Sequence, residues 1–328
     1  MPDNTNGVLG ERILITGGAG FIGRRLLALL MPGATVAVLD DLSVGLPMPT
    51  ARQGLECYQA DVRDSAEVAR IMEDLRPTSV VHLAALHHIP SCEAEPRRAV
   101  EINVLGFQTI LDECTRQGCK RVLLASSGAV YGFDQRPLSE DMPVEPCDVY
   151  AASKLSNEHQ LSVWASRTDS AGLSARLFNA IGWDDPNAHL IPDILGRLAN
   201  GRPEECIKVR MGNLHTRRDF VDVDDLAAGL AAMLRSNCWR PGKAQVYNLC
   251  SGREYSIPDI VNSLAHCMGV SVEIESDPAL RRRIDRPSQW GDPQKTLREV
   301  GWQASIPLSD SIARIVKAWQ AKTGLVSE

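Results

Sequence analysis

The sequence predicts an α/β protein with a Rossmann-type, doubly wound parallel sheet and a smaller C-terminal substrate-binding lobe. Short apolar segments alternate with helical patterns over the first two-thirds of the chain, as expected of right-handed βαβ units. A glycine-rich turn joins the first apolar segment to the first helical one. The length of 328 residues exceeds the roughly 250–300 residues that one hydrophobic core usually absorbs.

The predicted strands are short apolar runs, which is typical of strands buried on both faces of a parallel sheet. They are expected at residues 12–16, 34–39, 55–59, 80–83, 122–125, 246–249 and 272–275. The predicted helices have apolar residues three to four positions apart. They cover residues 21–30, 64–75, 97–117, 150–167, 192–200 and 221–234, with two further helical stretches after residue 256.

The regular alternation of apolar segments and helical patterns ends after Phe178, where a loop-rich stretch with several prolines begins. This change divides the chain into two predicted domains. The expected dinucleotide-binding domain comprises residues 10–179 plus 221–250. The expected substrate-binding lobe comprises residues 180–220 plus 251–328.

Composition excludes several classes of protein. Hydrophobic residues make up 44% and charged residues 23% of the chain, which is near the average for globular proteins and excludes a collagen-like or largely disordered chain. The net charge is −6, which weighs against a nucleic-acid or anionic-membrane partner. Nine cysteines occur without any Cys-x-x-Cys pair, so we expect neither a disulfide framework nor a metal site.

Targeting and membrane segments are not expected. The first residues lack a basic stretch followed by an apolar one, and no apolar run approaches 18 residues. We therefore expect a cytoplasmic protein without a membrane span.

The glycine turn at residues 16–23, TGGAGFIG, follows a predicted strand and opens a predicted helix. Glycines let the backbone turn tightly and approach a pyrophosphate, whose charge is stabilised by the N–H groups at the helix N-terminus. This placement makes the motif a strong signal for a dinucleotide. The cofactor contacts expected here are Gly17, Gly20, Phe21, Ile22 and Gly23.

Acidic residues follow the second and third predicted strands. Asp40 ends the second strand, where its carboxylate can accept hydrogen bonds from a ribose 2′-hydroxyl and repel a 2′-phosphate. With Asp41 beside it and no arginine before Arg52, the site favours NAD over NADP. Asp61 ends the third strand, and it either faces the adenine or is a turn acid that flanks the next helix.

Three further residues form a candidate catalytic set. Tyr150 and Lys154 lie four residues apart on a predicted helix, so their side chains share one face. Ser127 follows a predicted strand at its carboxyl end, where ligands bind in such folds. We expect the Lys154 ammonium and an oxidised nicotinamide to favour a Tyr150 phenolate that acts as general base.

The whole chain resembles the extended short-chain dehydrogenase/reductase family, in its nucleoside-diphosphate-sugar epimerase/dehydratase branch. The resemblance covers residues 12–319. It is carried by TGGAGFIG (16–23), LDDLSVG (39–45), HLAAL (82–86), ASSGAVYG (125–132), YAASK (150–154), ARLFNAIG (175–182), RRDFVDVDDLA (217–227), VYNLCSG (246–252), RP (286–287) and GDPQKTLREVGW (291–302).

The resemblance implies roles for individual residues. Ser127, Tyr150 and Lys154 correspond to the catalytic triad, and Lys154 also holds the nicotinamide ribose. Further cofactor contacts are expected from Val62, Leu83, Ala84, Ala85 and Phe178. The expected substrate contacts are Ser127, Asn179, Arg218 and Arg286, with the two arginines on the diphosphate, and His88 as a substrate-loop residue or an ordinary loop residue.

The residues after Ser127 limit which of the family's reactions is expected. Gly128 and Ala129 cannot transfer protons, so a 4,6-dehydratase is disfavoured. An epimerase acting at C4 through a transient 4-keto sugar, with retained NAD, is favoured by these small residues and by Asp40. The second half of the chain looks closer to GDP-linked 4-keto-6-deoxyhexose reductases, so the reductase is the alternative. A non-enzymatic dinucleotide-sensing protein is less expected, because Tyr150 and Lys154 are both present.

The resemblance also implies a homodimer. Members commonly associate through a four-helix bundle formed by helices equivalent to residues 97–117 and 150–167. The partners expected are therefore a nucleoside-diphosphate sugar and a second copy of the chain, with neither nucleic acid nor membrane.

Overall fold

The computed structural model describes residues 10–31, 33–44, 46–186, 190–199, 206–280 and 286–323. Residues 1–6, on which the expected lack of a targeting segment depends, lie outside these ranges. Within them, the strands are β1 (Arg12–Thr16), β2 (Thr35–Asp40), β3 (Leu55–Gln59), β4 (Ser79–His82), β5 (Arg121–Ser127), β6 (Ala171–Leu177), β7 (Asn179–Ile181), β8 (Ile207–Met211), β9 (Arg217–Arg218), β10 (Phe220–Asp222), β11 (Lys243–Leu249), β12 (Tyr255–Ser256), β13 (Val272–Ser276) and β14 (Ser288–Gln289).

The helices in the same ranges surround the sheets. They are α1 (Phe21–Leu30), α2 (Ser65–Leu75), α3 (Ile89–Ala94), α4 (Pro96–Val100), α5 (Gly106–Gln117), α6 (Val149–Thr168), α7 (Leu190–Ala199), α8 (Val223–Arg235), α9 (Ile257–Met268), α10 (Gln294–Val300) and α11 (Leu308–Thr323). None of them combines the length and apolar character needed to cross a bilayer.

The main sheet confirms the predicted Rossmann-type architecture. It has seven parallel strands in the order β11-β6-β5-β4-β1-β2-β3. Alternate residues of β1 enter opposite cores: Ile13 and Ile15 pack with α1 and α8, whereas Leu14 packs with α2, α5 and α6. Helices therefore cover both faces of the sheet, as in a doubly wound fold.

A third apolar core lies apart from the two that flank the sheet. It is built from α7, α9 and α11 together with the strands β8 and β10, and β8 pairs with β13. Most of this core falls in the predicted substrate-binding lobe, and the exact domain boundaries stay a prediction. A small three-stranded sheet, β12-β9-β14, brings together segments from residues 217, 255 and 288.

Three predictions of local structure need correction. The helix expected over residues 97–117 is interrupted by a π-helical segment, Glu101–Leu105. The helix expected from residue 221 begins at Val223, because the preceding residues form β10. The tail contains three helices in its described part, not two. Strand β6, which pairs with β5 and β11, was not predicted.

The π-helical segment carries a buried amide that contacts two other parts of the chain. Asn103 within it is 1% exposed, and its amide binds both the nitrogen and the oxygen of Leu86, at 2.7 Å and 3.0 Å. It also donates to the Ser153 hydroxyl at 2.9 Å. The interruption thus places one amide between the loop after β4 and helix α6, and π-helical turns occur often at functional sites.

Candidate active site

A large cavity of about 1430 Å³ runs from the glycine turn after β1 to the lobe built around α7 and β8. It opens at the carboxyl ends of the parallel strands, where ligands bind in doubly wound folds. Predicted site residues that line it are Gly17, Gly20, Phe21, Ile22, Gly23, Asp40, Asp41, Val62, Leu83, Ala84, Ala85, His88, Ser127, Tyr150, Lys154, Phe178, Asn179, Arg218 and Arg286.

The glycine turn is shaped for close backbone approach. Gly17 has φ +71°, and a Cβ there would lie 2.7 Å from the Ala84 nitrogen. A Cβ on Gly23 would lie 2.5 Å from the Gly17 oxygen. Helix α1 then begins without a side-chain cap at Gly20, so its first N–H groups are available to an anion. These features fit a dinucleotide pyrophosphate.

Asp40 lies at the end of β2 beside this turn. Its carboxylate accepts hydrogen bonds from the Ala19 nitrogen at 3.0 Å and the Leu42 nitrogen at 2.9 Å. Burial raises the pKa of Asp40, and these two donors oppose the shift. A carboxylate has about four lone-pair sites, so capacity for ribose hydroxyls remains.

The other two acids differ from Asp40. Asp41 lines the cavity, and its carboxylate accepts from the nitrogen and hydroxyl of Ser43. Asp61 is not among the lining residues: its carboxylate pairs with Arg63 at 2.6 Å, and hydrogen bonding to that guanidinium lowers the pKa of Asp61. Of the two readings open for Asp61, the geometry favours the turn acid beside a helix.

The three candidate catalytic residues come together at the middle of the cavity. Asp148 caps α6 by accepting from the Ala151 nitrogen at 2.7 Å, and this fixes the start of the helix that carries Tyr150 and Lys154. Ser127 ends β5 and interacts with the Tyr150 phenol through its side chain. The Lys154 ammonium lies 5.9 Å from the centre of the Tyr150 ring.

Lys154 is held by the sheet. Its ammonium donates to the Ala125 oxygen at 2.8 Å, and burial lowers the pKa of Lys154 to about 8. Burial raises the pKa of Tyr150, and the Ser127 hydrogen bond opposes that shift. In the protein alone, the pKa of the Tyr150 phenol is therefore raised and not lowered as expected. The reason is that the loss of hydration outweighs the hydrogen bond with Ser127.

The predicted substrate residues line the other end of the cavity. Asn179 begins β7 and Arg218 ends β9. The Arg286 guanidinium donates to the Ala129 oxygen at 2.7 Å and contacts the Cys147 sulfur at 3.0 Å. Arg286 is thus partly engaged by the loop after Ser127, and its other N–H donors are those that can reach a diphosphate.

His88 lies at the start of α3, where its Nδ1 is 2.8 Å from the Ser91 hydroxyl. Together with His87 it lines the cavity. No group of three or more metal-ligating side chains is found in the described ranges.

Sequence reasoning missed several groups that hold this site together. Gln289 lines the cavity and donates to the Gly128 oxygen at 2.7 Å. Behind the site, Ser126 donates to Glu158 at 2.6 Å, and Glu158 forms a buried ion pair with Arg176 at 2.7 Å. The position of Ser126 at the end of a predicted strand could have marked it as a candidate. Its partner Glu158 is 32 residues away in the sequence, so the contact itself could not be predicted.

The fold and the cavity define an α/β protein of the dinucleotide-binding type, with a second lobe over the carboxyl edge of its sheet. The chain belongs to the NAD dependent epimerase/dehydratase family, which residues 13–250 match.

The similar proteins include enzymes with two different activities, a reductase and an epimerase. The chain is 29% identical over 318 residues to GDP-6-deoxy-D-mannose reductase of Pseudomonas aeruginosa, covering 95% of this chain and 98% of that protein. It is 31% identical over 316 residues to UDP-glucose 4-epimerase of Neisseria gonorrhoeae, covering 89% and 92%.

Solved structures give the same division. UDP-glucose 4-epimerase of Thermus thermophilus, in complex with NAD, superimposes with a TM-score of 0.82 at 28% identity, covering 94% of this chain and 99% of that one. RMD of Pseudomonas aeruginosa, complexed with NADPH, gives 0.80 at 27% identity, covering 95% and 100%. The chain is thus similar to nucleotide-sugar epimerases and to a nucleotide-sugar reductase.

Proposed function

We propose that this protein is an NAD-dependent epimerase of a nucleoside-diphosphate sugar, acting at C4 through a transient 4-keto intermediate. The observation that carries the proposal is the meeting of Ser127, Tyr150 and Lys154 in one cavity between the glycine turn and the predicted diphosphate arginines. When bound, NAD would supply reversible two-electron oxidation of the sugar carbon. An epimerase regenerates it in each turnover, whereas a reductase would consume the reduced cofactor and release the oxidised form.

The chain's own groups would move the proton. The Tyr150 phenolate takes the proton of the sugar hydroxyl, and Ser127 holds that hydroxyl by a hydrogen bond. The Lys154 ammonium, fixed by the Ala125 oxygen, stabilises the phenolate electrostatically. Arg218 and Arg286 would bind the diphosphate, a geometry suited to guanidinium groups.

The two residues that follow Ser127 in the cavity wall support an epimerase rather than a dehydratase. Gly128 and Ala129 line the cavity and offer no acid or base to eliminate water. A Cβ on Gly128 would lie 3.1 Å from the Phe178 ring, so a larger side chain there needs the ring to shift. Gly128 therefore allows the Phe178 ring to pack directly against this part of the cavity wall.

Asp40 supports NAD over NADP. Its carboxylate lies at the end of β2 beside the glycine turn, where it would accept ribose hydroxyls and repel a 2′-phosphate. We expect Asp40→Ala to reduce the preference for NAD by at least about tenfold, measured as the ratio of dissociation constants for NAD and NADP. A wild-type protein that already prefers NADP would contradict this role.

The second candidate is a GDP-linked 4-keto-6-deoxyhexose reductase. The observation that favours it is the match to GDP-6-deoxy-D-mannose reductase across 95% of this chain. A reductase would bind reduced cofactor, use it once and release it.

The experiment that separates the two is identification of the dinucleotide released when the purified protein is denatured. Near-stoichiometric NAD, followed by C4 inversion of a UDP- or GDP-hexose seen by NMR, supports the epimerase. An empty site that binds reduced cofactor reversibly, with turnover of a GDP-4-keto sugar, supports the reductase. If no nucleotide sugar turns over and Tyr150→Phe changes no measured property, the protein is a dinucleotide-sensing protein.

We also propose a homodimer formed through α4, the π-helical segment Glu101–Leu105, α5 and α6. Three apolar side chains on this helical surface are strongly exposed: Leu105 is 56%, Val163 49% and Val100 44% exposed. They lie on elements that pack against one another, and exposed apolar patches mark interaction surfaces.

A further inference from the structure

Asp219 is a buried carboxylate that lies between Arg218 and Phe220 and does not itself line the cavity. Its exposed fraction is 0%. In the described part of the chain, its carboxylate has no ion-pair partner. Burying an ionised carboxylate without a cation is costly unless hydrogen bonds replace the lost water.

The carboxylate of Asp219 receives four hydrogen bonds from two distant segments. The Ser251 nitrogen and hydroxyl donate at 2.9 Å and 2.6 Å. The Gly252 nitrogen donates at 3.0 Å, and the Gly291 nitrogen donates at 3.2 Å. Asp219 therefore ties the turn after β11 to the segment after β14.

The backbone of Asp219 binds two residues of the cavity wall. Its oxygen accepts from the Asn179 nitrogen at 3.1 Å and from the Asn179 side-chain amide at 2.7 Å. Its nitrogen donates to the Gln289 oxygen at 3.0 Å. The preceding residue, Arg218, donates to the Arg286 oxygen at 2.7 Å. Four residues that line the substrate end are thus joined through residues 218 and 219.

An ionised acid is the group that this arrangement requires. All four groups that face the side chain are donors, and a carboxylate is an acceptor at both oxygens. An amide would direct its NH₂ group at some of those donors and leave them unsatisfied, which is unfavourable for buried polar groups. Burial raises the pKa of Asp219 to about 6, and the donors oppose the shift.

We propose that Asp219 is a positioning residue for the nucleoside-diphosphate sugar, holding Asn179, Arg218 and Gln289 in the geometry that binds substrate. The inference rests on the proposed function. Asp219 touches neither cofactor nor substrate: it acts through the residues that its backbone and its neighbour place on the cavity wall.

The test compares Asp219→Asn with a matched control, Asp225→Asn. Asp225 is 5% exposed, and its carboxylate accepts from the Ser305 nitrogen and hydroxyl and the Ile306 nitrogen at 2.8–3.0 Å. It does not line the cavity. The two variants therefore remove similar hydrogen bonds from similarly buried acids.

The measurements are the dissociation constants of UDP and GDP by calorimetry, that of NAD, and KM and kcat for the nucleotide sugar that turns over. For Asp219→Asn we expect nucleoside-diphosphate dissociation constants and KM to rise about tenfold or more. KM should change more than kcat, and NAD binding should stay within about twofold. Asp225→Asn should lower the melting temperature without changing nucleoside-diphosphate binding.

The inference is overturned if Asp219→Asn binds UDP and GDP as tightly as the Asp225→Asn control does. The proposed function fails separately, if the wild-type protein binds neither nucleoside diphosphate or turns over no nucleotide sugar. Should Asp219→Asn not fold, Ser251→Ala against Ser305→Ala repeats the comparison with one hydroxyl donor removed from each acid. Equal nucleoside-diphosphate affinity in that pair would overturn the inference as well.

Discussion

Tyr150 and Lys154 share one face of α6 because they are four residues apart in a helix that Asp148 caps. Ser127 reaches them from the end of β5, because parallel strands present their carboxyl ends at one edge of the sheet. The sequence order alone predicted this meeting. What it did not predict is the direction of the phenol pKa, which burial raises.

Replacing the phenol tests its role as the proton acceptor. We expect Tyr150→Phe to lower kcat by about 10²-fold or more, because a positioned acid or base contributes about 10²–10⁴-fold to a rate. The melting temperature and NAD content should change little, since one buried oxygen is lost. Steady-state kinetics on the nucleotide sugar measure the effect, and unchanged turnover would refute the assignment.

The ammonium of Lys154 gives a pH dependence of stability. Burial lowers the pKa of Lys154 to about 8 from 10.5, so between these values the unfolded chain binds a proton that the folded protein has released. The contribution of Lys154 to the free energy of unfolding therefore rises with pH over this window and is lost as pH falls towards 8. Lys154→Met should remove that rise.

The measurement is urea unfolding of cofactor-free wild type and Lys154→Met at pH 8, 9 and 10. Other groups titrate equally in both proteins, so the difference between the two curves reports Lys154. Parallel curves would show that the ammonium keeps its ordinary pKa in the folded protein.

Among the elements, α6 is tied to the sheet by a buried ion pair. Glu158 lies one turn after Lys154, and its carboxylate binds both the Arg176 guanidinium of β6 and the Ser126 hydroxyl of β5. The guanidinium also lies 4.5 Å from the centre of the Tyr131 ring. This arrangement fixes the helix of Tyr150 against the strand that carries Ser127.

Removing only the arginine of the Glu158–Arg176 ion pair should destabilise the folded protein. We expect Arg176→Met to lower the free energy of unfolding by about 3–5 kcal/mol, because it leaves a buried carboxylate without its counter-charge. The double variant Glu158→Gln/Arg176→Met should recover at least half of that loss, since Gln is uncharged and still accepts from Ser126. Urea unfolding measures both.

A matched surface pair provides the control. Glu67 and Arg70 lie on one exposed face of α2 at 2.6 Å, and Arg70→Met should leave the free energy of unfolding almost unchanged. If the double variant at residues 158 and 176 is no more stable than Arg176→Met alone, the counter-charge is not what stabilises this part of the fold.

On the scale of the whole molecule, the proposed dimer depends on the exposed surface of α4, α5, α6 and the π-helical segment that carries Leu105. We expect Leu105→Glu to convert the dimer to a monomer, because a charge would be buried in an apolar interface. Light scattering coupled to size exclusion measures the mass. Leu297→Glu is the control, at a residue of α10 that is 38% exposed. A wild-type protein of monomer mass would exclude the homodimer.

Several features of the fold could be predicted because they depend on neighbours in the sequence. Local chemistry accounts for the strand-turn-helix at residues 12–30, the helix predicted over residues 64–75 and the spacing of Tyr150 and Lys154. The π-helical interruption at residues 101–105 could not, since the helical periodicity continues through it. Within it, the Asn103 side chain bonds to Leu86 in another segment, and no local pattern encodes that contact.

The sequence by itself determined the fold class, the glycine turn, the acid at the end of β2 and the candidate catalytic residues, because motifs of a few residues encode them. Tertiary structure alone decided how those groups are held. Arg286 reaches Ala129, Glu158 reaches Arg176, and Asp219 joins segments near residues 179, 251 and 291. These partners lie up to 157 residues apart in the sequence, so no local sequence pattern predicts the contacts. Only the packing of the folded chain places each donor beside its acceptor.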